Sequence, residues 1–371
     1  MDNKLRDFIV VLLANFFFFL NFSQLILLPK FIVHMGQDPV EIGLVMGIFN
    51  LAVIVALPIV GVISGKICRK YLFIAGAFVM GITTFAFVYI DNMGLSVYLL
   101  RILQGVSFSF AFGVSGVMVF DVVKGPDRNR FLGILTVSNI TTHAIGPAIG
   151  EYAIASFGFD AYFVSASFFG ILSTLIGVFL PRVRTQRPHH RILFRPMFPF
   201  VVASVILGGV FGATVIFLPP YLMDKGILNS TPFFISFVCG ALMVWAFLYK
   251  VFGRIESATT WLITIVMMIL LPLVAYSIKT LVSLIPLSLL FGIGYGYIYP
   301  TLNAATMEAY PSMKGMANAM FVWSFNMGMA FVSLAFGGIS TIYGYGPAFI
   351  MLGIIGIFMV VLIRYFNRRI K

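Results

Sequence analysis

Apolar runs of roughly membrane-crossing length follow one another along almost the whole chain, separated by short polar connections that are often basic. A helix needs roughly 20 apolar residues to cross the hydrocarbon core of a bilayer. Twelve segments meet that need: 7–28, 42–63, 72–90, 97–119, 131–157, 160–180, 197–219, 232–251, 259–277, 282–304, 316–338 and 345–364. The pattern predicts an all-α polytopic membrane protein with twelve transmembrane helices and little chain left for a soluble domain. The first run, from Phe8, follows Lys4 and Arg6 but is too long for a signal-peptide core and lacks a small-residue cleavage pattern, so it is expected to be a retained span.

Composition agrees with the pattern. Of 371 residues 61% are hydrophobic and 10% charged, against about 25% charged in soluble domains. The net charge of +12 forms no continuous basic stripe and argues against nucleic acid as a partner. Its placement speaks to topology. Twenty of the 24 Lys and Arg fall at the termini and in every second connection, three (Lys30, Lys225, Lys279) in the alternate connections, and Arg101 inside a span. Under the positive-inside rule both termini lie in the cytoplasm, at the cell membrane, and the number of spans is even. Cys68 and Cys239 indicate no disulfide framework.

The longest basic connection, residues 182–196, splits the spans six and six, giving bundles 1–181 and 197–371. Their flanks echo each other: LLPKFIVHMG at Leu27–Gly36 aligns with FLPPYLMDKG at Phe217–Gly226 at a constant offset, matching Leu28 with Leu218, Pro29 with Pro219 and Gly36 with Gly226. A second echo joins Pro126 and Arg130 to Pro311 and Lys314. Two parallel six-helix bundles related by a pseudo-two-fold axis are the architecture of secondary transporters.

Three motifs carry a family resemblance. After the second span, GVISGKICRKYL supplies Gly61, Ser64, Lys66, Arg69 and Lys70. This is similar to the loop signature of the major facilitator superfamily, with Gly65 where that family usually has an acid and Cys68 where it usually has glycine. The fourth span carries RILQG (Arg101, Gln104, Gly105), which resembles the family's R-x-x-Q-G. In the fifth span Gly146, Pro147 and Gly150 resemble the antiporter motif of its exporter branches, of drug and arabinose-efflux type, with Thr142 and Glu151 departing from it. The resemblance implies the twelve-helix fold, transport of a small molecule, and a gating role for the loop motif.

Ionisable groups inside lipid usually serve function. Arg101 and Glu151 have depths that agree to about 3 Å at 1.5 Å per residue, so they are expected to pair. Glu151 is then either a structural partner of Arg101 or the site coupling transport to protons. His143, at mid-span, shares a polar and small helix face with Asn139, Thr142, Gly146 and Gly150, which suits a cavity or a close helix contact. It is a candidate for proton handling or solute binding. Pro147 is expected to make this helix flexible. Further cavity candidates, on spans that line the cavity in the family, are Asn21 and Gln24, then Tyr295, Tyr299 and Asn303, and Trp323 and Asn326, each set at helical spacing. The alternative for them is interhelical hydrogen bonding and aromatic packing. The third and ninth spans hold no acidic, basic or histidine residue, and the sixth and twelfth hold one only at an end (Asp160, Arg364), as expected of lipid-facing helices. Gly292, Gly294 and Gly296 sit in an apolar span with no lysine following, which excludes a phosphate loop. No cofactor is expected.

The reading is a monomeric secondary transporter working by alternating access, with proton-coupled export of an uncharged or amphipathic organic solute first and uptake or uniport of a sugar or metabolite second. A receptor on the same fold, or a membrane enzyme, is more distant: His189 and His190 lie in the basic linker, and no reactive constellation is present.

Overall fold

Every described element is helical. The computed structural model describes residues 3–123, 127–182, 198–252, 257–310 and 314–370. The linker beyond Arg182, with His189 and His190, lies outside them, as do Lys124, Pro126, Gly253, Arg254 and Pro311. The helices are α1 (Asn3–Gln24), α2 (Leu28–His34), α3 (Pro39–Ile63), α4 (Arg69–Phe85), α5 (Leu95–Val122), α6 (Arg128–Gly177) and α7 (Phe198–Asp224). After these come α8 (Thr231–Met243), α9 (Tyr249–Phe252), α10 (Ser257–Val274), α11 (Leu281–Ala309), α12 (Lys314–Tyr343) and α13 (Tyr345–Ile370). A π-helical turn, Val244–Leu248, joins α8 to α9.

Ten stretches among the described residues are long and apolar enough to cross a membrane, and α13 adds a shorter one, Tyr345–Met359. One of the ten lies in α6, whose 50 residues would extend about 75 Å if straight, more than two hydrocarbon cores. At Gly158 its backbone leaves helical geometry (φ 85°, ψ −176°), a conformation open essentially only to glycine. This places the reversal between the predicted fifth and sixth spans. Pro147, the expected weak point, stays helical.

The glycines with positive φ are Gly36 (75°), Gly158 (85°), Gly226 (77°) and Gly344 (83°). Gly36 and Gly226 are the matched glycines of the sequence echo, and each follows the first span of its half. Gly158 and Gly344 each separate a fifth from a sixth span, an echo that the sequence spacing concealed.

By internal contacts the chain divides into two units, Met1–Met35 with Ile48–His189, and Gly36–Gly47 with His190–Lys371. In the first unit α1 packs along α6, and α4 against α5 and α6. In the second, α7 packs along α12, and α11 against α8 and α10. Gly36–Gly47 belongs to the second unit by contact: a Cβ on Gly43 would lie 2.7 Å from the Ser333 carbonyl oxygen, and the Val40 N–H donates to Thr341 Oγ1 at 3.1 Å. Large apolar side chains stand exposed on α4 (Phe78, Ile82), the second part of α6 (Phe168, Leu175), α10 (Leu262, Val266) and α13 (Ile354, Phe358), as lipid contact requires.

Candidate functional site

The first span is broken where its sequence dictates. Pro29 has no N–H to give the Leu25 carbonyl, so the chain tightens into a 3-10 turn, Leu25–Leu27, in which the Leu28 N–H serves Leu25. The Gln24 carbonyl accepts instead from the Tyr162 hydroxyl of α6, at 2.8 Å. One residue past the proline, Lys30 lies in α2 with its side chain 3% exposed, in an ion pair with Glu151 of α6, 8% exposed.

This pair corrects one expectation and adds a partner. Lys30 is a buried helical residue rather than a loop cation, because the first span continues to His34. It stands on the Glu151 carboxylate as a cation that the sequence reading did not offer. The signal was present in sequence, since apolar residues flank Lys30 on both sides from Leu25 to Val33.

Arg101 is 2% exposed on α5. It donates to Gln104 Oε1 at 2.8 Å and sits 4.4 Å from the Phe49 ring centroid, a cation–π contact. Gly105 permits this, since a Cβ there would meet the Phe49 carbonyl oxygen at 2.5 Å. From Arg101 polar contacts continue inward: Gln104 Nε2 reaches Thr84 Oγ1 at 3.5 Å, and Asn21 Nδ2 donates to the Ala166 carbonyl at 2.6 Å and to Thr84 at 3.3 Å. Gln24 Oε1 accepts from Ser165 at 2.9 Å. Asn21 and Gln24 are both fully buried and turned to α4 and the second part of α6, which places these two cavity candidates inside the helix packing of the first unit. Among the described residues Asn21 Oδ1 and Gln24 Nε2 have no hydrogen-bond partner.

The small face of α6 makes a close helix contact. A Cβ on Gly146 would lie 2.4 Å from Ser23 Oγ, and one on Gly150 2.9 Å from Leu27 Cδ1 and 3.2 Å from the Tyr162 ring. Thr142 is buried, and Asn139 Oδ1 accepts from Asn15 Nδ2 of α1. His143 is half-buried, its Nδ1 3.1 Å from the Asn139 carbonyl oxygen and its ring near Phe22. Phe22 also contacts Phe19, Phe49 and Phe108, so the histidine borders an aromatic cluster.

At the other end of the unit the loop motif closes α3 and opens α4. Ser64 Oγ donates to the Gly61 carbonyl at 3.0 Å, and Lys66 is exposed. Arg69 forms an ion pair with Asp121 at the end of α5, and Lys70 donates to the Val178 carbonyl. Arg69, Lys70 and Asp121 line a small depression with Cys68, Met118, Val122 and Pro181.

In the second unit Tyr295 stacks on Phe211 with centroids 4.2 Å apart, and Tyr299 meets Phe321 and Phe325 edge-on at 5.1 and 5.2 Å. Both tyrosines are half-buried. Asn303 Nδ2 donates to Asn318 Oδ1 at 2.8 Å, while its own Oδ1 has no partner among the described residues. Asn326 donates to the Val322 carbonyl of its own helix at 2.8 Å, and Trp323 packs on the Ala317–Met320 cluster. The glycines of α11 are packing surfaces: added Cβ atoms would strike Phe237 from Gly292, Thr264 from Gly294 and Ala241 from Gly296.

Known proteins agree with this architecture. The chain is 23% identical over 351 residues to an uncharacterized MFS-type transporter of Methanocaldococcus jannaschii, covering 86% of this chain and 89% of that one. It is 24% identical over 369 residues, 93% of each, to the quinolone resistance protein NorA of Staphylococcus aureus. The crystal structure of the nucleoside transporter NupG superposes with a TM-score of 0.79 at 16% identity over 99% of each chain, a likeness of fold alone. Residues 10–321 match the Major Facilitator Superfamily. This multi-pass membrane protein therefore belongs to the major facilitator superfamily, whose members are transporters and not enzymes.

Proposed function

We propose that the protein is a monomeric secondary transporter of the cell membrane that exports a small organic solute in exchange for protons by alternating access, with both termini cytoplasmic. The observation that carries the reading is Glu151: a carboxylate buried in an apolar span beside a lysine, where adding or removing one proton changes the local charge balance. Its place next to Gly146, Pro147 and Gly150 supports export, as does the similarity to a protein named for quinolone resistance. The solute is uncharged or amphipathic. Tyr295 and Tyr299 offer ring faces and hydroxyls and Asn303 an unpartnered acceptor, on a helix whose membrane interior carries no charge.

Proteoliposomes holding an imposed pH gradient, challenged with a solute panel while internal pH is followed, test the reading. Proton movement opposite to solute movement is expected, and Glu151→Gln should abolish dependence on the gradient. Flux that follows the solute gradient alone would favour the second reading, a uniporter or uptake permease in which Lys30 and Glu151 are purely structural.

A further inference from the structure

The end of the first unit that carries the loop motif holds more cations than its described carboxylates can answer. Three carboxylates stand there among the described residues, and each already meets a cation: Asp7 with Arg6, Asp121 with Arg69, and Asp127 with Lys4. Lys70 and Arg128 donate to backbone carbonyls, of Val178 and Val123. Lys66, Arg130 and Arg182 are exposed and form no ion pair among the described residues.

Arg182 is the one set among exposed apolar side chains. Its guanidinium lies over the Tyr71 ring, with Cζ 5.9 Å from the centroid. Beside it Lys70 ties the first turn of α4 to the Val178 carbonyl, where α6 ends. The two contacts bring Tyr71, 47% exposed, next to Val178 and to Phe179, 75% exposed. Val178 and Phe179 stand three and four residues beyond Leu175, so they extend the lipid-facing side of α6 marked by Phe168 and Leu175. The Tyr71 hydroxyl makes no hydrogen bond to a described residue. α4 begins here as well, and its N-cap Cys68 supplies no side-chain cap, so the positive end of a 17-residue helix adds to the same region.

We infer that this surface is a seat for an anionic phospholipid: the headgroup phosphate accepts from Arg182 and the Tyr71 hydroxyl, and an acyl chain lies along Phe179, Val178 and Leu175. Lys66, in the turn before α4, adds a second cation at this end of the unit. The combination matches the boundary between headgroups and hydrocarbon, where rings and basic side chains meet both phases. A zwitterionic lipid brings its own cation beside the phosphate and leaves the positive excess unbalanced, so a net negative headgroup is selected. A soluble phosphate would satisfy Arg182 and Tyr71 but leave the apolar side chains uncovered. The seat holds whichever side of the membrane this end faces, and it depends on neither the solute nor the coupling ion.

Native mass spectrometry of the purified full chain tests this, titrating phosphatidylglycerol against phosphatidylcholine of the same acyl chains. Phosphatidylglycerol should bind about tenfold more tightly, as expected of charge-assisted hydrogen bonds to one phosphate. Arg182→Gln combined with Tyr71→Phe should remove the preference, while Arg130→Gln, which takes away another exposed cation of the same end, should leave it intact. Equal affinity for the two lipids overturns the seat, as does an unchanged preference in the double variant. A loss in Arg130→Gln as large as in the double variant also overturns it, because the attraction would then be diffuse surface charge. Glycerol phosphate in solution should not displace the lipid, and displacement at equal concentration would show a site for free phosphate instead. Should the double variant not fold, a photoreactive phosphatidylglycerol on wild type decides the matter. Labels are expected within residues 66–71 and 175–182, and labelling confined to other segments overturns the seat.

Discussion

Lys30 and Glu151, 121 residues apart in sequence, form an ion pair buried in the first unit. Removing either partner takes a buried charged contact from the other. Lys30→Ala and Glu151→Ala should each lower stability by about 3 kcal/mol or more, while the charge-swapped double variant should recover part of that. Thermal melting of the purified protein in detergent measures both, and single variants as stable as wild type would refute the pairing.

His143 and Glu151 lie eight residues apart but on different faces of α6, and their roles should separate. With His143 Nδ1 beside the Asn139 carbonyl and its ring among phenylalanines, His143→Phe should retain dependence on the pH gradient, whereas Glu151→Gln should lose it. Vesicle flux with and without a gradient distinguishes them.

The tightest glycine contacts of α6 predict where bulk is not tolerated. Gly146→Leu must push Ser23 and Gln24 aside, at about 1–3 kcal/mol. Gly61→Ala, where nothing stands within 4 Å of an added Cβ, should be neutral despite its place in the loop motif. Melting temperatures of the two variants should differ accordingly.

Arg101→Lys keeps the charge but loses the planar group that both stacks on Phe49 and reaches Gln104. A loss of about 1 kcal/mol is expected from the ring contact alone.

Tyr295 and Tyr299 offer hydroxyls that make no hydrogen bond to the described residues, so Tyr299→Phe should leave melting within about 0.5 kcal/mol of wild type. If the hydroxyl meets solute, the solute KM should rise about fivefold, the worth of one hydrogen bond.

The spans were legible in the sequence because a bilayer admits few ways to satisfy a backbone, and any apolar run of the right length reads as a helix. Gly36 and Gly226 were legible for a similar reason, since a turn demanding positive φ leaves glycine at matching positions. What a helix faces was not. Depth suggested Arg101 for Glu151 and gave no sign of Lys30, because a single sequence carries little information on how each helix is rotated in its bundle. The same gap hid the inward turn of Asn21 and Gln24 toward Thr84, Ser165 and Ala166. Lys30 was lost to a simpler cause: a lysine after a proline looks like the start of a loop.

Gly36–Gly47 carries a consequence for anyone who would divide this chain. A cut in the connection near residue 190 would give two fragments of similar size, yet the first would carry off the opening turns of α3, whose packing partner α12 belongs to the second. The fragment without its complement would present bare glycines at Gly43 and Gly47. Split in this way the halves are not interchangeable modules but complementary pieces, expected to accumulate as folded protein only when produced together.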